Sequence, residues 1–248
     1  MTETKPWFKD WFSSPYYHQL YFKHDNAEAT KFINKLIEYL KPSKESLMLD
    51  IACGRGRHSR ILAAMGFDVT GIDLAVESIK EAKKYETENL HFFVHDMRLP
   101  FWINYFDYAF NFFTSFGYFN TRREHENSIR TIAQSIKPGG IFVLDYLNAH
   151  YAEDHLVHKS ELKIDDVTYF ITKWFDETHF YKKIIVEDEA LKKPIEHQEK
   201  VAKFSIGDFT EMLAYHKLQV QEVFGDYNFN SYHIKNSPRM VIISKKIV

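Results

Sequence analysis

The stretch LDIACGRGRHS, Leu49 to Ser59, decides how this chain is read. Ser46 to Ile51 reads as a buried strand, Gly54 and Gly56 supply a turn, and Ile61, Leu62 and Met65 follow at helical spacing until Gly66 closes them. A strand, a glycine turn and a helix start together bring backbone amides close to a ligand. In the dinucleotide form G-x-G-x-x-G, the helix N-terminus holds a pyrophosphate and the third glycine permits close helix packing. Here Ser59 takes the third position and Asp50 stands just upstream. A carboxylate near a pyrophosphate costs roughly a few kcal/mol at low effective dielectric. A ligand that carries positive charge and no phosphate reverses the sign, and it also makes Ala52 tolerable where a tighter turn needs glycine.

Working outward, seven of the nine glycines lie between Gly54 and Gly140, which marks a compact alternating unit. Asp25 with Glu28 resembles a capping box, and Phe32, Ile33, Leu36, Ile37 and Leu40 recur at helical spacing until Lys41-Pro42. After the turn come the strand DVTGID, a helix through Val76, Ile79 and Ala82, and the strand HFFVHD. The strand DYAFNFF follows, then a helix through Ile129, Ile132 and Ile136, the turn KPGG and the strand IFVLDYL. Strand and helix alternate five times, so an α/β fold with a mostly parallel sheet and helices on both faces is expected, with ligands at the carboxyl ends of the strands. From about residue 155, ELKIDDVTYFITKWFDETHFYKKIIVEDE reads as two or three alternating strands, and EHQEKVAKFS as another, in an antiparallel sheet. Ser205 with Asp208 opens a helix through Phe209, Met212 and Leu213, and LQVQEVFGDY and RMVIISKKI read as an antiparallel pair ending the main sheet. The expected organisation is an N-terminal helical and aromatic cap over 1–45, a main domain over 46–150 and 205–248, and an inserted antiparallel β lid over 151–204.

Hydrophobic residues make up 45% of the 248 residues and aromatics 17%, enough for a large packed core. The net charge of −2 and the absence of a basic stripe count against a protein that wraps duplex nucleic acid, so no DNA partner is expected. A single cysteine, Cys53, excludes an intrachain disulfide and points to a reducing, cytoplasmic setting. No run approaches the roughly 20 apolar residues of a membrane span. Trp7, Phe8, Trp11 and Phe12 form one face of a short predicted helix, which is expected to dock on the protein's own body rather than on a membrane.

The run L-D-I-A-C-G-R-G resembles the first motif of Rossmann-like, class I S-adenosylmethionine-dependent methyltransferases, whose usual form is acid-x-glycine-x-glycine-x-glycine. The resemblance continues in order through GID, VHDM, FDYAFNFFTSFGYF and KPGGIFVLDYLN, over roughly residues 45 to 150. It implies a seven-stranded Rossmann-like sheet and S-adenosylmethionine as cofactor, whose sulfonium and ammonium suit Asp50. It also implies a binding set of Asp50, Ala52, Cys53, Gly54 and Gly56 in the turn. Asp73, with Leu74 beside it, takes the position that accepts from both ribose hydroxyls, although strand-ending aspartates also cap helices. Asp96 and Met97 match the adenine position, and Asn111 and Phe112 the region facing the methionine and the methyl group. Asn111 to Thr114 is similar to the N-P-P-Y motif but lacks both prolines, so an ordinary strand end is the preferred reading.

The lid and the aromatic segment YYHQLYF are similar in layout to small-molecule N-methyltransferases, including glycine and aminosugar enzymes. This implies Tyr21, ahead of Tyr17, as a residue near the acceptor, the alternative being a hydrophobic staple onto the core. Tyr118 and Tyr146 are the other candidates for positioning an acceptor. The implied reaction is methyl transfer by in-line displacement to a small molecule, at nitrogen or oxygen. Rival readings are an NAD-dependent oxidoreductase, opposed by Asp50 and Ser59, and a non-catalytic S-adenosylmethionine binder. No metal site is expected: His150, Asp154, His155 and His158 form a loose cluster, the last two histidines sharing a predicted helix face, without three or four converging ligands. A homodimer is consistent with the free edges of the inserted sheet.

Overall fold

Alternation of strands and helices closes into a seven-stranded sheet with a second, four-stranded sheet beside it. The computed structural model describes residues 11, 12, 14–21 and 26–248. The elements are α1 (Pro15–Tyr21), α2 (Asn26–Leu40), β1 (Leu47–Ile51), α3 (Arg57–Ala64), β2 (Asp68–Asp73), α4 (Val76–Ala82), β3 (Leu90–Val94) and β4 (Phe106–Asn111). They continue with α5 (Arg122–Ser135), β5 (Ile136–Leu147), α6 (Ala149–Asp154), β6 (Lys159–Ile164), β7 (Val167–Phe175), β8 (His179–Glu187) and β9 (Ile195–Ala202). The chain returns to the main sheet through α7 (Ile206–Tyr215), β10 (Leu218–Phe224) and β11 (Arg239–Lys246).

The main sheet has the order β10-β11-β5-β4-β1-β2-β3. β11 runs antiparallel to both its neighbours, and every other neighbouring pair is parallel. Parallel neighbours need crossovers, and these place helices on both faces. On one face Ile129 and Ile132 of α5 and Phe209, Met212 and Leu213 of α7 pack with Leu49, Ile72 and Leu144. On the other, Phe32, Ile33 and Leu36 of α2, Leu62 of α3 and Ile79 of α4 pack with Met48, Val69 and Val143. Consecutive residues Met48 and Leu49 thus serve opposite cores, as strand alternation requires. Apart from Asp50 their strand is apolar, because neither face is wet.

The second sheet is an antiparallel meander, β6-β7-β8-β9. Trp11 is fully buried against it with Tyr169, Ile171, Ile184 and Val186, and Tyr17, Leu20 and Tyr21 of α1 pack around the same cluster. Trp11 therefore docks on the protein's own body; Trp7 and Phe8 lie outside the described residues, as does Asp25 of the capping box expected before α2. Ser205 and Asp208 form the expected box at the start of α7, and Thr121 and Glu124 form another at α5 that the periodicity alone does not single out.

Three local expectations differ. The helix through Ile129 and Ile132 ends at Ser135, because Ile136 already pairs with Phe106 in β5. The ladder shifts between Phe106 and Tyr108, which absorbs KPGG within β5 instead of leaving it as a turn before the strand. His155 and His158 do not share a helix face, since α6 stops at Asp154. Among the described residues no group of three or more His, Cys, Asp or Glu is placed to hold a metal, and no helix is long and apolar enough to cross a membrane.

Gly56 precedes α3 with φ +76°, and a Cβ there would lie 2.4 Å from Cζ of the buried Phe92 ring. Gly54 is also left-handed, φ +57°, but faces open space. Gly56→Ala is therefore expected to destabilise the fold by about 2–5 kcal/mol from backbone strain and overpacking, and Gly54→Ala by about 1–2 kcal/mol from backbone strain alone. Urea unfolding of the two variants measures that difference.

Candidate active site

The carboxyl ends of β1, β2 and β4, capped by α1 and by β9 of the second sheet, enclose a cavity of about 320 Å³. Asp50, Ala52, Cys53, Gly54, Asp73, Leu74, Asp96, Met97 and Phe112 all line it, as do Tyr21 and Tyr118. Gly56, Asn111 and Tyr146 do not. Gly56 lies behind the turn against Phe92. Asn111 is fully buried and donates from Nδ2 to the Ile51 carbonyl at 3.1 Å, which ties β4 to β1 instead of presenting its amide to the cavity. Tyr146 belongs to β5 itself, fully buried, and its hydroxyl donates to the Ala202 carbonyl at 2.5 Å. That bond anchors the end of β9 to the main sheet, so Tyr146 is not placed to touch an acceptor.

Asp50 is 1% exposed, and Ser59 donates its hydroxyl to Oδ2 at 2.5 Å. The residue at the third glycine position thus supplies the donor for the buried carboxylate. Burial pushes the Asp50 carboxyl up to about 7, against the pull of Ser59. Asp73 receives the Gly54 amide on Oδ2 at 2.8 Å and the Ala75 amide on Oδ1 at 2.7 Å. Burial holds its carboxyl above the ordinary range although these amides lower it. Each oxygen keeps lone-pair capacity for one further donor. Asp73 therefore both ties the turn and faces the cavity.

Asp96 accepts from Arg98 on both oxygens, at 3.1 and 2.6 Å, and Arg98 also reaches Glu124 at 2.6 Å. Burial would raise the Asp96 carboxyl, but the Arg98 hydrogen bonds outweigh it and hold it below the ordinary value. Sequence reasoning missed Arg57 and His58, which follow the glycines and line the same cavity. His58 is 7% exposed, and its Nε2 has no partner among the described residues. Burial, then the neighbouring Arg57, push its pKa down to about 3, so the ring is neutral. Burial pushes the Cys53 thiol well up, which keeps it protonated and removes a nucleophile from consideration.

Strain gathers at this wall. Ala52, Phe113 and Thr114 have φ of +58°, +59° and +56°, a region that costs a non-glycine residue about 1–3 kcal/mol. Ala52 adopts the conformation glycine would take at the first glycine position of the usual motif, so alanine there is strained rather than relaxed by a looser turn. Phe113 and Thr114 are held by fully buried Asp145, whose Oδ2 accepts the Phe113 amide at 2.8 Å and the Tyr227 hydroxyl at 2.9 Å. Arg239 at the start of β11 donates to Asp145 Oδ1 at 2.8 Å and to Thr114 Oγ1 at 3.0 Å.

Opposite the glycine turn stands Glu199 of β9, 7% exposed, which sequence reasoning also missed. Its Oε1 accepts from Trp11 Nε1 at 2.8 Å and from the Tyr21 hydroxyl at 2.7 Å. Tyr17 and Tyr21 lie with ring centroids 4.6 Å apart, and Phe12 meets Tyr118 edge-on at 5.3 Å. Burial, reinforced by Glu199, pushes the Tyr21 and Tyr118 phenols well up, so both stay protonated donors. The only sign of Glu199 in the sequence is the alternation of EHQEKVA, which puts it on the same strand face as Val201.

A mostly parallel sheet with a glycine turn after β1, one acid near the end of β1 and another closing β2, is a Rossmann-like fold of the kind seen in class I methyltransferases. Residues 48–140 match the family model described as a methyltransferase domain. Rat (Rattus norvegicus) glycine N-methyltransferase is 25% identical over 179 residues, covering 62% of this chain and 61% of its own. The Streptomyces venezuelae dTDP-3-amino-3,4,6-trideoxy-alpha-D-glucopyranose N,N-dimethyltransferase is 29% identical over 123 residues, covering 49% of this chain and 50% of its own. The chain thus spans half to three fifths of the length of these curated relatives. Its fold matches the crystal structure of an S-adenosylmethionine-dependent methyltransferase from Clostridium acetobutylicum ATCC 824 with a TM-score of 0.79 and 18% identity, over 94% of this chain and 96% of that one.

Two outcomes follow from the buried charges. Asp50 binds its proton more tightly folded (about 7) than unfolded (3.8), so stability falls as pH rises through that window. Between about pH 5 and about pH 8 that loss is about 3 kcal/mol, and Asp50→Asn removes it. Urea titrations at both pH values are expected to show the variant gaining on the wild type as pH rises. Arg239→Met, which leaves Asp145 buried without its cation, is expected to cost about 3–5 kcal/mol in the same assay.

Proposed function

We propose that this chain is an S-adenosylmethionine-dependent methyltransferase acting on a small molecule, with nitrogen favoured over oxygen as the acceptor atom. The observation that carries the reading is the pair of carboxylates, Asp50 and Asp73, flanking the open space above Gly54 in one cavity. The cofactor, when bound, supplies a methyl group on a positively charged sulfur, open to in-line displacement. Everything else falls to the chain.

Asp73 offers two acceptor lone pairs to two adjacent ribose hydroxyls. Asp50 matches the positive charge of the methionine portion, which favours ionisation of a carboxyl that burial otherwise disfavours. Arg57 and the unpartnered Nε2 of neutral His58 suit a carboxylate at the start of α3, where the helix dipole adds to the attraction. Asp96 and Met97 border the adenine end, with Arg98 holding the Asp96 carboxylate in place. Tyr21 and Tyr118 wall the acceptor side as neutral phenols, which align an acceptor and exclude water without acting as strong bases.

The cofactor domain is assigned to 46–150 with 205–248, the cap to 1–45 and the lid to 151–204. Nitrogen acceptors are supported by the names of the glycine and aminosugar N-methyltransferases among the relatives. A cytoplasmic setting, no nucleic-acid partner and a homodimer that covers the lid edges complete the reading.

Calorimetry with S-adenosylmethionine tests it. Asp73→Ala is expected to weaken binding about a hundredfold, since it removes two charge-assisted hydrogen bonds. Gly54→Val is expected to abolish binding, because it places a branched side chain in the open space and in a left-handed backbone. Unchanged affinity in both variants overturns the assignment.

A further inference from the structure

Glu199 is a buried carboxylate on the acceptor wall, and the assignment of cofactor residues leaves it unused. Trp11 and Tyr21 both donate to Oε1, whereas Oε2 accepts only from the same Tyr21 hydroxyl, at 2.9 Å, and so keeps acceptor capacity. Lys182 sits opposite Glu199 in the β8–β9 register, yet its Nζ donates to the Tyr21 hydroxyl. Among the described residues no ion pair joins Lys182 to Glu199, so that cation acts on the carboxylate through space and through the phenol without touching it. The rings of Phe12, Tyr17 and Tyr118 line the same part of the cavity.

A dry carboxylate among aromatic faces discriminates by charge. It repels an anionic acceptor and leaves a neutral alcohol to compete with the carboxylate's own need for a cation. An ammonium satisfies both the carboxylate and the ring faces. We infer that Glu199 is the specificity-determining residue of the acceptor site, holding a small aliphatic amine in its protonated form between the lid and the N-terminal segment. This rests on the methyltransferase reading above. In the transfer, the ammonium first loses one proton, to Glu199 and from it to solvent. The freed nitrogen lone pair then forms the N–C bond while the C–S bond breaks with its electron pair going to sulfur. The products are a methylated ammonium, a neutral thioether and one released proton.

The test uses tetramethylammonium, a cation that cannot be methylated, and tert-butanol, a neutral molecule of similar size, titrated by NMR into the full chain with and without S-adenosylhomocysteine. Saturable binding of the cation and none of the alcohol is expected, weakened at least about tenfold in Glu199→Gln. Trp11→Phe, which removes the indole donor and keeps the carboxylate, is expected to bind the cation within about threefold of the wild type. Absence of cation binding in the wild type, equal binding in Glu199→Gln, or equal losses in Trp11→Phe and Glu199→Gln each overturn the proposal. Failure to bind S-adenosylhomocysteine tells against the cofactor reading alone, because the titration of the unliganded protein still decides the role of Glu199.

Discussion

The Asp50 carboxylate, sealed near the end of β1 with Ser59 as its hydrogen-bond donor, is the constraint on which the site depends. A desolvated carboxylate is costly unless a charge or several donors answer it. The hydroxyl and the backbone amide of Ser59 meet only part of that need. The side chain at the third glycine position follows directly, since α3 must bring a donor over β1 and glycine has none. Bringing α3 that close requires in turn that Gly56 carry no Cβ, because the Phe92 ring fills the space. One buried charge thus accounts for a hydroxyl, a glycine and an aromatic residue on three different elements.

The other wall of the cavity is held from much further along the chain. Phe113 and Thr114 keep a strained backbone because Asp145 binds the Phe113 amide through its side chain and the Thr114 amide through its carbonyl. Asp145 is oriented by Arg239, 94 residues later. That contact exists only because β11 inserts between β5 and β10, which puts Arg239 opposite Leu147. The C-terminal strands therefore do more than finish the sheet. They supply the cation that lets two residues at the end of β4 hold conformations they would not keep alone.

What could be read in the sequence was local or periodic. The strand, turn and helix around Gly54, the Ser205–Asp208 cap and the alternation of the lid strands each rest on residues within one or two turns of each other. Side chains whose roles come from distant partners were not legible. Asn111 and Phe112 are adjacent, yet only Phe112 lines the cavity, since a one-residue step reverses the direction of the side chain. Tyr146 resembles an acceptor residue until the return of β9 places the Ala202 carbonyl over it. Glu199 reads as one more acid in a charged strand until Trp11 and Tyr21, nearly 180 positions away or more, fold onto it.

The sign of charge in the cavity has a consequence for turnover on the proposed reading. Asp50 favours a ligand with a sulfonium over one with a neutral thioether, because the first sets a second positive charge beside the ammonium against the desolvation that raises its pKa. Methyl transfer removes the positive charge from sulfur and leaves the ammonium, so the carboxylate then faces one positive charge instead of two. Asp50 then either takes up a proton or stays ionised against the ammonium alone. Its pKa of about 7 makes proton uptake accessible near neutral pH. The burial that weakens the fold above neutral pH would therefore also separate spent from unspent cofactor, which is a reason for keeping an acid where a neutral residue would make a more stable protein.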